Sequence, residues 1–276
     1  MIEKAGEISA ARMAKPTRML RRRLLPAIFV LALVPSTAQA QMEGAFDMGV
    51  LGMNGAIDHV TKAEEARARG LKPAPPPSQT IARSLASQLV GRSAAAPASA
   101  PALSAGYKAS DTVRGEIAGI MADAAEQRTA GTAQEMRELV TSGKALKEYE
   151  GVVPALGFKT NDAVDALAFY LLAQWGVAND YRDNVTPTQA AGVRRQAANA
   201  YATVADQLGT DALRQQFAEM LIVQGVIMAG VHEAAVRGND TSATQQYAEM
   251  ARRGGEILFT MDPTKIALTD QGFARK

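Results

Sequence analysis

The chain has 276 residues, with 30 Lys plus Arg against 28 Asp plus Glu and no Cys. Without cysteine there is no disulfide scaffold and no thiolate metal site, so stability must come from a buried core. Hydrophobic residues make up 47% of the chain, enough to build such a core in one domain with extensions.

Residues 1–40 read as an export signal. Lys4, Arg12, Lys15, Arg18, Arg21, Arg22 and Arg23 precede an apolar run over residues 24–34, and Pro35 leads into the small-x-small pattern Ala38-Gln39-Ala40. Cleavage is expected after Ala40, with the mature chain periplasmic or secreted. Arg21-Arg22-Arg23-Leu24-Leu25 also loosely matches a twin-arginine signal. The leader carries 7 basic and 2 acidic residues, which leaves 23 basic and 26 acidic residues beyond it. The basic surplus therefore belongs to the leader. A nucleic-acid binder would show such a surplus on one face of the folded part, so no nucleic-acid partner is expected.

Residues 41–69 form an N-terminal extension that is weakly helical by pattern and too poor in large apolar residues to fold alone. Residues 70–106 are a Pro/Ala/Ser-rich linker, semi-rigid around Pro75, Pro76 and Pro77. Within it, Ile81, Leu85, Leu89 and Val90 recur at helical spacing, which predicts a short helix near residues 80–90. Such a helix either packs on the domain or serves as a recognition helix for a partner's groove.

The folded domain is expected over residues 107–276. Ser110 or Asp111 caps a helix that reaches Arg128, with Val113, Ile117, Ile120, Met121 and Ala124 as its apolar stripe. Two short helices follow, one marked by Met136, Leu139 and Val140, the other by Leu146, Tyr149, Val152 and Val153 before Pro154 ends it. A strongly apolar helix over residues 162–179 takes Thr160 or Asn161 as its cap. Thr186-Pro187-Thr188-Gln189 is a capping box with proline at the first helical position, opening a helix predicted to reach Leu208.

The next helix, residues 210–237, contains the most apolar run beyond the leader, Met220 to Val231, interrupted only by Gln224. Those 12 residues span about 18 Å at the helical rise, short of the roughly 30 Å of hydrocarbon that a spanning helix crosses. Arg214, Glu219, His232, Glu233 and Arg237 flank it closely. A helix apolar on most sides and too short to span is enclosed by other helices, so no membrane span is expected in the mature chain. A last helix begins at Asp240 or its neighbours and reaches about Met261. Residues 264–273 read as an extended strap, and no sheet is expected. The fold class is therefore all-α: an orthogonal or up-down bundle of about six helices around a buried central helix, with a disordered N-terminal tether.

Three stretches carry a resemblance. They are Tyr107-Lys-Ala-Ser-Asp-Thr-Val-Arg114, Gly157-Phe-Lys-Thr-Asn-Asp-Ala-Val-Asp-Ala-Leu-Ala-Phe-Tyr-Leu171 followed by Trp175 and Asn179, and Leu268-Thr-Asp-Gln-Gly-Phe273. Together they resemble an uncharacterised family of exported bacterial all-helical proteins. The resemblance implies export and a helical fold, and it implies no chemistry.

Motifs for catalysis are sparse. The two histidines are His59 and His232. His232-Glu233 opens like a zinc-protease helix, but Val236 stands where the second His belongs. Ala229 stands where a Glu-x-x-His motif needs its acid. No nucleophile elbow and no phosphate-cradling glycine loop occurs. No catalytic residue, metal or cofactor is therefore assigned.

Carboxylate pairs for hydrolysis could come from Asp162, Asp165, Asp180, Asp183 and Glu219. Asp162 and Asp165 lie at the start of a helix, where acids serve the dipole. Trp175, Asn179, Gln224 and His232 are the candidate ligand-binding set, if the two apolar helices pack together. The expected function is a periplasmic or secreted interaction module without catalytic activity, with an envelope or extracellular protein as partner. The alternatives are a binder of a small apolar ligand in the helical core, and a carboxylate-dependent envelope hydrolase.

Overall fold

The structure is a computed structural model that describes residue 69, residues 77–90 and residues 104–276. The expected leader over residues 1–40, nearly all of residues 41–69 and most of residues 70–106 lie outside the described residues. Those residues form eight α-helices and one β-hairpin. The helices are α1 (Pro77–Leu89), α2 (Asp111–Arg128), α3 (Ala133–Thr141), α4 (Lys144–Val152), α5 (Ala163–Ala178), α6 (Pro187–Ala202), α7 (Asp211–Arg237) and α8 (Thr241–Phe259). Strands β1 (Ile266–Thr269) and β2 (Gly272–Arg275) complete the chain.

The core is a parallel pair, α5 and α7. Both N-termini meet the same segment: Ala163 N–H donates to Ala105 O at 2.9 Å, and Arg214 Nε donates to Gly106 O at 2.9 Å. At the other end His232 of α7 faces Asp180, just past α5. Helix α6 returns antiparallel beside α5, its far end bonded through Tyr201 to Ser104 near the α5 N-terminus, and α8 packs on α5, α7 and α1. The small α2–α4 unit packs on α7 through α2 and α4.

Every residue of α5 is buried except Ala173 and Gly176, because α6, α7, α8 and the hairpin enclose it from all directions. On α7 the run from Met220 to Val226 is buried throughout. Among the described residues α7 is the one helix long and apolar enough to cross a membrane, and 67% of its most apolar window is buried inside the protein. Gly225 is the point of closest approach: a Cβ there would fall 2.7 Å from the Phe169 ring. The central glycine trades helix propensity for contact between the two core helices.

Local caps explain several boundaries. The Thr186–Gln189 capping box forms in both directions, at 2.9 and 3.1 Å. Thr210 caps α7 by accepting from Leu213 N–H. For α5 the cap is Asp162, not Thr160 or Asn161: its carboxylate accepts from the Val164 and Asp165 N–H groups at 2.9 and 3.1 Å. Helix α6 stops at Ala202 rather than Leu208, where the Thr203 hydroxyl donates to Ala200 O and a 3-10 turn, Ala205–Leu208, follows. Helix α8 stops at Phe259, where Thr260 turns left-handed at φ 54°.

The strap expected over residues 264–273 is instead an antiparallel hairpin, with Ile266 opposite Arg275 and Thr269 opposite Gly272. Four-residue strands are too short to show sustained alternation, and this pair is held from outside. The Gln196 amide donates to Phe273 O and accepts from Phe273 N–H, both at 2.8 Å, so a side chain of α6 stands in for a third strand. Gly192 admits the hairpin onto α6, since a Cβ there would fall 2.2 Å from Gly272 N.

The linker helix α1 seats Ile81, Leu85 and Leu89 against α6, α8 and β2 as part of the common core. Val90, the fourth apolar residue of that pattern, remains 54% exposed.

Candidate functional site

Trp175 on α5 and Asn179, the C-cap of that helix, are one turn apart, and both bond the C-terminal segment. The Trp175 indole N–H donates to Ile266 O at 3.0 Å, and its ring meets Tyr181 and Phe273 with centroids 4.9 and 5.8 Å apart. The Asn179 amide donates to Trp175 O at 2.9 Å and to Pro263 O at 3.2 Å. Gln224 and His232 lie on α7 in different surroundings. The hydrogen bonds of the first pair run to the C-terminal segment, whereas His232 faces the residue that follows Asn179.

His232 is buried, with Nε2 3.1 Å from Asp180 Oδ1, close in distance but not aligned as a hydrogen bond. Asp180 is held in turn by Arg182 and has a left-handed backbone, φ 45°. Burial pushes the His232 pKa below its ordinary 6.5, and this outweighs the opposite pull of Asp180 and Glu233; Arg182 adds to the depression. The native state therefore favours neutral imidazole, while the unfolded chain takes up a proton near 6.5. Stability is fully present above that value and falls as pH drops below it. Thermal melts from pH 8 to 5 should show this decline, and His232→Asn should remove the part that begins near pH 6.5. A decline unchanged in the variant would assign it to other groups.

Gln224 has 0% exposure, and neither its Oε1 nor its Nε2 has a hydrogen-bond partner. The side-chain oxygen of Gln174, on the adjoining core helix, is likewise unpartnered, although its Nε2 donates to Ala251 O. An unpaired buried amide costs about 1–3 kcal/mol on protein scales. Gln224→Met, close in volume and apolar, should therefore raise the unfolding free energy by about 1–3 kcal/mol in urea titrations. A loss of stability would overturn this cost.

The interior acids are engaged elsewhere. Asp162 caps α5. Asp165 is fully buried, accepts from Lys159 N–H at 2.8 Å and forms an ion pair with Arg194. Its pKa is raised because burial outweighs the amide and the guanidinium. Glu219 takes a two-pronged pair from Arg114, Nε to Oε2 at 3.1 Å and Nη2 to Oε1 at 2.9 Å. Asp183 is exposed. Among the described residues no three His, Asp or Glu side chains converge on one point as metal ligands would.

Local patterning does not reveal the treatment of residues 104–110. Tyr201 OH donates to Ser104 O at 3.1 Å, Tyr107 N–H to Asn161 O at 3.1 Å, and Lys108 N–H to Asp211 at 3.2 Å. Gln215 both accepts from Ser110 N–H and donates to Ser110 O, each at 2.9 Å. An irregular stretch is thus stitched across the N-termini of α5 and α7, with its backbone groups satisfied by side chains. Burial raises the pKa of Tyr107 well above the ordinary tyrosine range and pushes Tyr201 up to about 12.

A second feature is a surface pocket of about 350 Å³ between the end of α1, the end of α8 and the hairpin. None of Trp175, Asn179, Gln224 and His232 lines it.

No curated protein and no solved structure matches this chain. A family of unknown function, DUF6683, matches residues 19–275. That span takes in all three stretches that carried the resemblance, together with the whole bundle and its hairpin, and the chain belongs to this family.

Proposed function

We propose that this chain is an exported helical interaction module that acts by binding a protein partner in the cell envelope or outside the cell. Residues 1–40, with their basic stretch, apolar run and Ala38-Gln39-Ala40, support export. The observation that carries the binding role is the position of two exposed apolar side chains. Val90 and Ile257, at 54% and 55% exposure, lie at the end of α1 and on α8, two helices that pack against each other. Large apolar side chains left exposed are where a partner gains burial. Four of the five acids that could have served hydrolysis, Asp162, Asp165, Asp180 and Glu219, cap a helix or pair with an arginine, which favours a rigid scaffold over a reactive cleft.

A photo-crosslinking residue placed at Ile257 should give one discrete adduct in cells, and the same residue at exposed Glu116 on α2 should give none. N-terminal sequencing of the protein from the envelope or medium should begin at Gln41. Adducts from both positions or from neither would overturn the binding role. An intact leader in the cytoplasmic fraction would overturn export.

A further inference from the structure

We propose that the pocket between α1, α8 and the hairpin binds a small organic monocarboxylate with an apolar body. This goes beyond a protein–protein role, because it assigns a ligand class to a site distinct from the candidate set on α5 and α7.

The pocket's volume of about 350 Å³ lies at the lower end of the range of small-molecule sites. One wall is apolar: Ala86 and Val90 at the end of α1, with Phe259 and Met261 from the end of α8. The hairpin supplies two cations. Lys265 immediately precedes β1, and Arg275 pairs across the ladder with Ile266, so the two charges stand at the same end of the hairpin. Neither forms an ion pair with a carboxylate among the described residues.

Asp262, the acid at the rim, is already engaged. It accepts from Thr264 N–H at 2.9 Å and from the Thr264 hydroxyl at 2.7 Å, and it lies 3.8 Å from Arg252. The pocket therefore keeps a small positive surplus beside an apolar wall. Arginine's planar fork matches a carboxylate. A dianion would meet repulsion from Asp262, a cationic ligand would meet it from Lys265 and Arg275, and a neutral one would gain nothing from the two cations.

Thr260 is the second, independent observation. It lines the pocket and carries φ 54°, a left-handed conformation that β-branched residues rarely adopt. Glycine or asparagine would end α8 there without strain. Local strain of this kind gathers at ligand sites, where the surrounding structure holds it in place.

Octanoate, octanol and octylammonium, titrated calorimetrically into the full chain, test the proposal. Octanoate should bind saturably and at least tenfold more tightly than octanol, with no saturable binding of octylammonium. Lys265→Gln combined with Arg275→Gln changes exposed side chains; it should weaken octanoate at least tenfold while circular dichroism and melting stay unchanged. Thr260→Gly should melt higher and bind octanoate more weakly. Equal binding of octanol and octanoate, undiminished binding by either variant, or no saturable octanoate binding in the wild type would overturn the proposal.

Discussion

Trp175→Ala is expected to lower the unfolding free energy by about 3–5 kcal/mol, the loss typical of a large aromatic truncated in a packed core. Trp175 is 4% exposed and touches Tyr181 and Phe273, so its removal leaves a void beneath the hairpin. It also removes the donor to Ile266 O. Trp175→Phe keeps much of the packing and loses mainly that hydrogen bond, so it should cost less, about 1–3 kcal/mol. Trp175 is the only tryptophan in the chain, so unfolding of both variants is best followed by far-ultraviolet circular dichroism. Wild-type stability in Trp175→Ala would show that the residue is not an anchor and would return it to the list of ligand contacts.

Glu219→Ala should cost roughly 3 kcal/mol, the lower end of the range for breaking a buried ion pair, because Arg114 keeps some contact with water. Glu219 is 1% exposed. It takes both prongs of Arg114 and a third hydrogen bond from Gln215 Nε2 at 3.0 Å. The same Gln215 holds both backbone groups of Ser110, so the loss should spread into the stitched segment. Arg114→Leu combined with Glu219→Met should recover most of the stability, since an apolar pair of similar volume replaces an ion pair with little loss. Urea titrations of the two variants decide it. If the double variant is as unstable as Glu219→Ala, the pair contributes through more than its own charges.

The helices were legible because their signals are local. The Thr186–Gln189 box and the run from Met220 to Val226 act within one or two turns, so a pattern of residue types reports them directly. The cap of α5, expected at Thr160 or Asn161, lies one or two residues on because Thr160, Asn161 and Asp162 are all capping types. Only the helix's path decides which of them lies at the end.

The candidate set on α5 and α7 was legible only as residue types. Trp175 and Asn179 share a face, as helical spacing requires. That this face meets the C-terminal segment depends on residues more than 80 positions away. Gln224 stood out in the sequence as the one polar interruption of the apolar run, and it is the one whose two side-chain polar atoms are both left buried and unpartnered.

By itself the sequence determined the helical class, the places where most helices begin, and the burial of α5 and α7. Those follow from apolar periodicity and from caps, which depend on neighbours within about four residues. Tertiary structure alone decided the hairpin, the stitched segment and the pocket. Each is made by contacts between distant positions, such as Gln196 with Phe273, Trp175 with Ile266 and Gln215 with Ser110. A strand four residues long or an irregular stretch gains its hydrogen bonds only when the bundle brings its partners to it.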